Sequence, residues 1–206
     1  FPFATMRTIG IAGCPVRALR ITYMGELGWE LHLPVEYAPK VFDTLMAAGA
    51  GHGLVNAGYR CIESTRLEKG YRAWGSDIGP DHTPIEAGLG WAVRKNGEFQ
   101  GKAAIEAQRA DGVRKMLAGF TVAPEVVLLG RETIYRDGER VGWLTSGGFG
   151  YTIDRSIGYG YVRRPAGVTA EWVLSGTYEL EVATQRVPAT VSLTPFYDPS
   201  NSRVKA

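Results

Sequence analysis

The 206-residue sequence has few of the residues that bind metals or form disulfide frameworks. It contains two cysteines, Cys14 and Cys61, and three histidines, His32, His52 and His82, none at the short spacings typical of metal ligands. No apolar run approaches the roughly 20 residues needed to span a bilayer. The net charge is only +2, and the basic residues are scattered. These absences argue against a metal centre, a disulfide-rich secreted domain, a membrane span and a nucleic-acid-binding surface.

Several motifs of nucleotide binding and acyl transfer are also absent. There is no G-x-S-x-G, no Walker A motif and no G-x-G-x-x-G between a strand and a helix, so the chain has no flavin- or nicotinamide-binding fingerprint of its own. The glycine-rich stretch Gly142–Gly150 lies among predicted strands, and we interpret it as a hairpin with tight bends. The chain begins Phe-Pro-Phe without an initiator methionine or a signal peptide, and we interpret it as a piece of a longer protein.

The composition is that of a globular protein with a substantial core. Hydrophobic residues make up 45% and charged residues 21%, and 206 residues suffice for one large domain or two small ones. Up to residue 112, hydrophobic periodicity predicts a mixture of strands and helices, which indicates the α+β class. The predicted elements are a strand at Met6–Ile11, a hairpin at Leu19–Leu33, and helices at Glu36–Ala50, Ala57–Lys69 and Gly101–Ala110.

After residue 112 the pattern changes to short alternating runs separated by turn residues. Asp137-Gly138, between two of these runs, is a strong hairpin signal. Regularly spaced short strands predict a small antiparallel barrel or sandwich, so we place a domain boundary near residues 112–115, with domains at 1–112 and 113–206. The predicted strands are Met116–Val122, Glu132–Arg136, Arg140–Thr145, Ile157–Val162, Glu171–Leu174, Tyr178–Val182 and Val187–Leu193.

The predicted hairpin Leu19–Leu33 contains the side-chain pair of greatest functional interest. If Met24 faces Trp29 across the turn, Tyr23 faces Glu30, and cross-strand neighbours lie about 5 Å apart. A carboxylate beside an aromatic ring suits a flat heterocycle with N–H donors on its edge, because the carboxylate accepts two N–H groups while the ring packs on the heterocycle's face. The alternative is an ordinary amphipathic hairpin with a solvated Glu30 and a packed Tyr23.

Other charged residues offer candidates for acid–base chemistry, each with a structural alternative. The candidates are Glu30, Asp77, Asp81 and Glu86. Asp77 and Glu86 are also suited to capping a turn or the start of a helix. Arg66 and Glu68, near the end of a predicted helix, predict a charge cluster on the helix surface.

Three aromatic residues, Tyr71, Trp74 and Trp91, lie on the glycine-rich stretch 71–95. Aromatic residues in such a loop line a pocket, because glycine lets the backbone approach a ligand, or else they fill the core beneath the loop. The pattern is compatible with both interpretations.

Three stretches carry a resemblance to a known family: YMGELGWELHLP, AGYRCIESTRLEKGYRAWGSDI and TPIEAGLGWAVR. In this order they are similar to the tetrahydrofolate-binding region of the glycine-cleavage T-protein family, which includes the C-terminal regions of sarcosine and dimethylglycine dehydrogenases. The lead-in RTIGIAGCPVRALRI, the phrase EKGYRAWGSD and the ending PFYDPSNSRVK look most like the dehydrogenase branch. The resemblance covers essentially the whole chain and implies an α+β folate-binding domain followed by a C-terminal antiparallel barrel.

The resemblance implies a role in one-carbon transfer. In such enzymes an N-terminal flavin domain, which binds FAD, oxidises an N-methyl amine, and the folate domain passes the one-carbon unit to tetrahydrofolate. By their match to the family motifs, Glu30 is expected to bind the pterin, and Tyr23 and Tyr71 to contact its ring. The family's catalytic Asp lies before residue 1, so the resemblance implies no catalytic residue in this chain and little or no catalysis by the chain alone.

The partners implied by the resemblance are a small-molecule folate and an upstream flavin domain of the same chain, with no nucleic acid and no membrane. The family occurs in bacterial cytoplasm and in mitochondria, so we expect the bacterial cytoplasm, or the mitochondrial matrix if the protein is eukaryotic. Two departures bear on recognition of the folate tail. Ile62 stands where the T-protein branch has an Arg that meets the folate, and Ser202 and Arg203 stand where that branch has two tyrosines.

Three functions are compatible with these features. The first is the tetrahydrofolate-binding C-terminal portion of a flavin-dependent sarcosine or dimethylglycine dehydrogenase. The second is a stand-alone aminomethyltransferase of the T-protein type. The third is a non-catalytic binding or assembly module that keeps the fold without the pterin site.

Overall fold

A computed structural model describes all 206 residues. They form two compact units, residues 1–63 with 198–206 and residues 64–197, and the division falls within the helix Tyr59–Glu68. In chain order the elements are β1 (Met6–Ile11), β2 (Cys14–Leu19), β3 (Glu30–His32), α1 (Ala38–Gly49), α2 (Tyr59–Glu68), α3 (Lys102–Asp111), β4 (Val113–Val122), β5 (Thr133–Arg136), β6 (Glu139–Gly150), β7 (Arg155–Val168), α4 (Ala170–Ser175), β8 (Tyr178–Val182), β9 (Gln185–Ser192) and α5 (Ser202–Lys205). The predicted α+β class is confirmed.

The first unit is built on a three-stranded antiparallel sheet in the order β1-β2-β3. β1 has its predicted bounds, and the turn to β2 uses Ala12 and Gly13, both with positive φ (52° and 77°), as the favoured two-residue hairpin turn requires. Residues alternate between the two faces of β2, so Cys14 and Val16 are buried against Val41 of α1. The intervening side chains of β2 lie on the opposite, exposed face of the sheet.

The three predicted helices before residue 112 are confirmed, with bounds shifted by one or two residues. A short 3-10 turn, Val35–Tyr37, precedes α1, and Pro39 lies in the first turn of α1, where a missing backbone N–H costs nothing. Gly112, with a φ of 75°, ends α3.

The second unit contains a closed antiparallel barrel with the strand order β4-β7-β6-β5-β8-β9. Its interior is filled by apolar side chains that are fully buried, among them Phe120, Ile134, Leu144 and Leu180. The predicted barrel is therefore confirmed, and six of its predicted strands are present. β6 and β7 run well beyond their predicted bounds.

Two predictions in this half of the chain are wrong. Glu171–Leu174 is not a strand but lies in α4, because the Thr169 side chain accepts a hydrogen bond from Trp172 N at 3.1 Å and so caps a helix. Gly142–Gly150 is not a hairpin but the greater part of β6. Its glycines permit close approach: a Cβ on Gly147 would lie 2.6 Å from Gly130 N.

Three further findings concern membrane-spanning helices, cysteines and metal-binding groups. None of the helices combines the length and the apolarity that crossing a membrane requires. Cys14 is buried and Cys61 is exposed, both as free thiols. No three His, Cys, Asp or Glu side chains are grouped so that they could hold a metal ion.

Candidate functional site

The predicted register of the Glu30 hairpin is wrong. β2 ends at Leu19, and Glu30 pairs with Leu19 rather than with Tyr23. The pairing of β1 with β2 fixes where β2 lies, and the chain leaves the sheet at Arg20, whose side chain is only 2% exposed. Tyr23 therefore lies in the loop 20–29 and not on a strand.

This loop nevertheless brings Tyr23 and Glu30 to one cavity of the first unit. The cavity has a volume of about 400 Å³. Tyr23 is half-buried, whereas the Glu30 side chain is 47% exposed at the edge of the cavity. His32 Nε2 lies 3.3 Å from Glu30 Oε2. The lining residues are Ile21, Thr22, Tyr23, Met24, Glu26, Leu27, Gly28, Trp29, Glu30 and Ile62.

Arg20 is a structural anchor of this cavity that the sequence analysis missed. Its guanidinium donates hydrogen bonds to the carbonyl oxygens of Val204 (3.1 Å) and Ala206 (2.6 Å), which satisfies carbonyls at the end of α5. The same guanidinium lies 4.9 Å from the ring centroid of Trp29, a cation–π distance. The alternation of Leu19, Ile21 and Tyr23 predicted a strand with Arg20 on the opposite face, whereas the Arg20 side chain is buried.

The positions at which the sequence departs from the T-protein branch lie in the first unit. Ile62 gives the cavity an apolar wall where the branch would have a cation. Ser202 and Arg203 belong to α5, and their backbone N–H groups donate to the Asp198 carboxylate at 2.9 and 3.1 Å. These hydrogen bonds from the first turn of α5 to the Asp198 carboxylate cap the helix. The side chains of Ser202 and Arg203 are exposed.

Tyr71, the third predicted pterin-binding residue, lies in the second unit. Its carbonyl oxygen accepts a hydrogen bond from Arg66 Nη1 at 3.2 Å, and its N–H donates to the Arg66 carbonyl at 2.9 Å. The backbone at Tyr71 is therefore tied to the end of α2. The proposed contact of its side chain with a folate stays a prediction.

Asp77, a candidate for acid–base chemistry, is the centre of a buried polar network. Its carboxylate accepts hydrogen bonds from Arg66 Nη1 (2.7 Å), Thr145 Oγ1 (2.6 Å) and Ser146 Oγ (2.5 Å). Its side chain is 1% exposed, and the Tyr161 hydroxyl donates to its carbonyl oxygen at 2.9 Å. Burial raises the pKa of Tyr161 well above its ordinary value, and Asp77 adds to the effect. These partners give Asp77 a structural role.

The prediction that Arg66 and Glu68 form a surface charge cluster is wrong. Both side chains are buried, with 3% and 2% exposure. Glu68 accepts hydrogen bonds from Thr152 N (2.6 Å), Thr152 Oγ1 (2.8 Å) and Ile153 N (3.1 Å), and so holds the turn between β6 and β7. α2 therefore supplies structural polar groups to the second unit.

Glu86 caps a turn, as one of its two interpretations predicted. Its carboxylate accepts from Thr83 N at 2.9 Å, while its own N–H donates to Thr83 Oγ1 at 3.2 Å, the reciprocal pair of a capping box. Asp81 is exposed, and its carbonyl oxygen accepts from Lys115 Nζ. His82 stacks on the Tyr161 ring at 4.4 Å, and burial, helped by Lys115, lowers its pKa. These residues form contacts within the second unit.

The interpretation of Trp74 and Trp91 as core residues is wrong. Their side chains are 75% and 78% exposed, so they do not fill a core. They are also absent from the wall of the cavity that Tyr23 and Glu30 line.

Comparisons with known proteins agree with this architecture. Residues 1–97 match the GCVT N-terminal domain, and residues 115–198 match the glycine cleavage T-protein C-terminal barrel domain. The chain is 46% identical to mitochondrial sarcosine dehydrogenase of Mus musculus, covering 100% of this chain and 23% of that protein. It is 33% identical to mitochondrial dimethylglycine dehydrogenase of Rattus norvegicus, covering 100% of this chain and 24% of that protein.

A solved structure shows the same fold. Glycine cleavage system aminomethyltransferase T from Bartonella henselae matches with a TM-score of 0.83 and 27% identity, over 97% of this chain and 54% of that chain. The present chain spans about a quarter of the length of the dehydrogenases it matches. Since the two T-protein domains together account for most of its residues, and its barrel corresponds to the second of them, the chain belongs to the glycine-cleavage T-protein family.

Proposed function

We propose that this chain is the tetrahydrofolate-binding C-terminal portion of a flavin-dependent dehydrogenase acting on an N-methyl amine such as sarcosine or dimethylglycine. Tetrahydrofolate is the one-carbon acceptor in this proposal, and methylenetetrahydrofolate is the product. Residues 1–112 form the C-terminal part of the folate domain, and residues 113–206 form the barrel domain.

The observation that carries the proposal is the cavity shared by Tyr23 and Glu30. Its volume of about 400 Å³ lies in the range of roughly 300–1,000 Å³ typical of small-molecule sites. Its walls are mostly apolar and aromatic, and carboxylate groups supply the hydrogen-bond acceptors. A reduced pterin has the matching features, a flat ring with an amino group and a ring N–H on one edge.

Glu30 can accept both of those N–H groups. A carboxylate offers about four acceptor positions, so the His32 contact leaves enough for a forked pair of hydrogen bonds. Tyr23 would cover the ring beside it, and a contact of the Tyr71 side chain with the folate is also part of the proposal. These residues bind and orient the folate, and no residue of this chain is assigned a proton-transfer or nucleophilic role.

The flavin chemistry is assigned to another part of the longer protein. The chain has no strand–G-x-G-x-x-G–helix segment that would fit a dinucleotide. The amine specificity accordingly lies outside these residues. The compartment is the mitochondrial matrix if the protein is eukaryotic, as the names of the curated dehydrogenases suggest, and the cytoplasm if it is bacterial.

The stand-alone aminomethyltransferase is the second candidate, favoured by the high TM-score to the Bartonella henselae protein. The higher identity to sarcosine dehydrogenase favours the first candidate. The two are separated by the sequence that precedes residue 1 in the gene. A flavin-binding domain there supports the dehydrogenase, and its absence supports the transferase.

Glu30→Gln is expected to weaken the binding of folinic acid, a stable reduced folate, by about 10- to 100-fold, because hydrogen bonds to a charged partner contribute about 1.5–3 kcal/mol. The glutamine amide would present its own N–H groups to the pterin donors. Isothermal titration calorimetry on the 206-residue chain measures the change. Glu36→Gln is the matched control, since Glu36 is exposed and lies outside the cavity, and it should bind like wild type.

Equal affinities of wild type and Glu30→Gln would contradict the proposal and favour a non-catalytic module of the same fold. An equal loss in Glu36→Gln would show that only net charge matters. Methylenetetrahydrofolate formation by the isolated chain would contradict the assignment of catalysis to residues outside it.

A further inference from the structure

The short strand β3 presents Glu30 and His32 on the same face of the three-stranded sheet. Successive side chains of a strand point to opposite faces, so Leu31, which lies between them, points the other way. Leu31 packs against the buried core that contains Val16 and Val41. This apolar packing fixes the side of the sheet on which Glu30 and His32 lie.

The pairing of β3 with β2 leads to the same conclusion. His32 lies opposite Arg17, and directly paired residues project from one face of a sheet. Arg17 is exposed, whereas its neighbours in sequence, Val16 and Ala18, are buried on the other face. His32, and with it Glu30 two residues earlier, therefore lies on the exposed face.

The side chains of Glu30 and His32 contact each other along this face. His32 Nε2 lies 3.3 Å from Glu30 Oε2. An ionised carboxylate has acceptors but no hydrogen, so the imidazole nitrogen is the donor of this hydrogen bond. Residues i and i+2 of a strand are about 7 Å apart, a separation that these two side chains bridge.

This contact restricts a carboxylate that is otherwise free to move. The Glu30 side chain is 47% exposed, and an exposed glutamate has several staggered rotamers. Of the roughly four acceptor positions of a carboxylate, the imidazole occupies one on Oε2, which leaves both oxygens able to accept an N–H group. Ordering a side chain before its ligand arrives lowers the entropy cost of binding.

His32 makes this contact from outside the cavity that Tyr23 and Glu30 line. It is not among the lining residues of that cavity, whereas Glu30 is. It lies instead in the wall of a neighbouring cavity of about 520 Å³, together with Thr8 and Arg17. A ligand in the Tyr23–Glu30 cavity therefore meets the carboxylate of Glu30 and not the imidazole of His32.

We infer that His32 is a positioning residue of the folate site. Its imidazole holds the Glu30 carboxylate in the orientation in which both oxygens accept the amino group and the ring N–H of the pterin. His32 itself neither touches the folate nor transfers a proton. This role rests on the proposed function and adds the residue that orders the pterin-binding carboxylate.

The test replaces His32 with and without retention of a donor. His32→Leu removes the donor, and His32→Gln keeps an N–H donor near the end of the side chain. Titration calorimetry with folinic acid should show binding weakened about fivefold in His32→Leu, the upper range for an exposed charge pair, and close to wild type in His32→Gln. The control His52→Leu should bind like wild type, because His52 is exposed and does not line the cavity.

A double-mutant cycle with Glu30→Ala separates positioning from direct contact with the ligand. Alanine removes the carboxylate, so a further His32→Leu change should leave the affinity for folinic acid unaltered. A fivefold loss that persists in the Glu30→Ala background would overturn the positioning role, because His32 would then act on the ligand itself. Wild-type affinity in His32→Leu, or an equal loss in His32→Gln and His32→Leu, would overturn it as well.

The outcomes distinguish this role from the proposed function. Weaker binding in Glu30→Ala together with wild-type affinity in His32→Leu overturns only the positioning role. If folinic acid does not bind to wild type, or binds equally to wild type and Glu30→Ala, both are overturned. Circular dichroism and thermal melting of His32→Leu should match wild type, since the His32 side chain is 57% exposed.

Discussion

Asp77→Ala is expected to lower the free energy of unfolding by about 3–5 kcal/mol, because it leaves the buried Arg66 guanidinium without its counterion. Arg66 Nη1 and Asp77 Oδ2 are 2.7 Å apart, with side chains 3% and 1% exposed. Alanine would also remove the acceptor of Thr145 and Ser146, both on β6. Urea unfolding followed by tryptophan fluorescence measures the loss, since four of the five tryptophans lie in the second unit.

Asp81→Ala is the matched control for Asp77→Ala. Asp81 is exposed and lies close by in the chain, so its change should stay within about 0.5 kcal/mol. Replacing Arg66 and Asp77 together by Met and Leu should recover part of the loss, because no isolated charge is then buried. If Asp77→Ala unfolded at the same urea concentration as Asp81→Ala, the structural role of the buried network around Asp77 would be contradicted.

Gly142→Ala is expected to disrupt the barrel, with a loss of about 3 kcal/mol or more in the free energy of unfolding. A Cβ at this position of β6 would overlap the carbonyl oxygen of Tyr161 in β7, well inside the 3.0 Å that real Cβ contacts respect. Because the clash is with backbone, a rotamer change cannot relieve it, and the pairing of the two strands must shift. Thermal melting by circular dichroism in the β-sheet region measures the effect.

Gly79→Ala is the control for Gly142→Ala. A Cβ on Gly79 would meet no atom within 4 Å, and its φ is not positive, so alanine should change stability by about 0.5 kcal/mol at most. A Gly142→Ala protein that melts like the control would show that β6 and β7 are less closely packed than described.

The element types of this chain were predictable because hydrophobic periodicity is a local property. The helices α1, α2 and α3 and most barrel strands follow from alternation or one-face spacing. Glu171–Leu174 was misassigned because four residues are too few to distinguish the two-residue repeat of a strand from the 3.6-residue repeat of a helix. The Thr169 cap favours the helix at this position. Gly142–Gly150 was misassigned because glycine marks close backbone approach as well as turns.

The candidate site was predictable only in part, because residues distant in sequence determine whether a side chain is buried or exposed. Tyr23 and Glu30 do line one cavity, but a loop brings them there, because Arg20 turns inward to the α5 carbonyls. Arg66 and Glu68 look like surface charges from their helix alone. Glu68 is held by Thr152 and Ile153, and Arg66 by Ser146 as well as by the nearer Asp77, so no pattern within the helix reveals these partners.

The most direct test of the folate assignment is a crystal structure of the 206-residue chain with folinic acid. The predicted result has the amino group and ring N–H of the pterin within hydrogen-bonding distance of the Glu30 carboxylate, and the Tyr23 side chain against the ring. A folinic acid molecule bound elsewhere, with Glu30 in contact with solvent alone, would contradict the assignment.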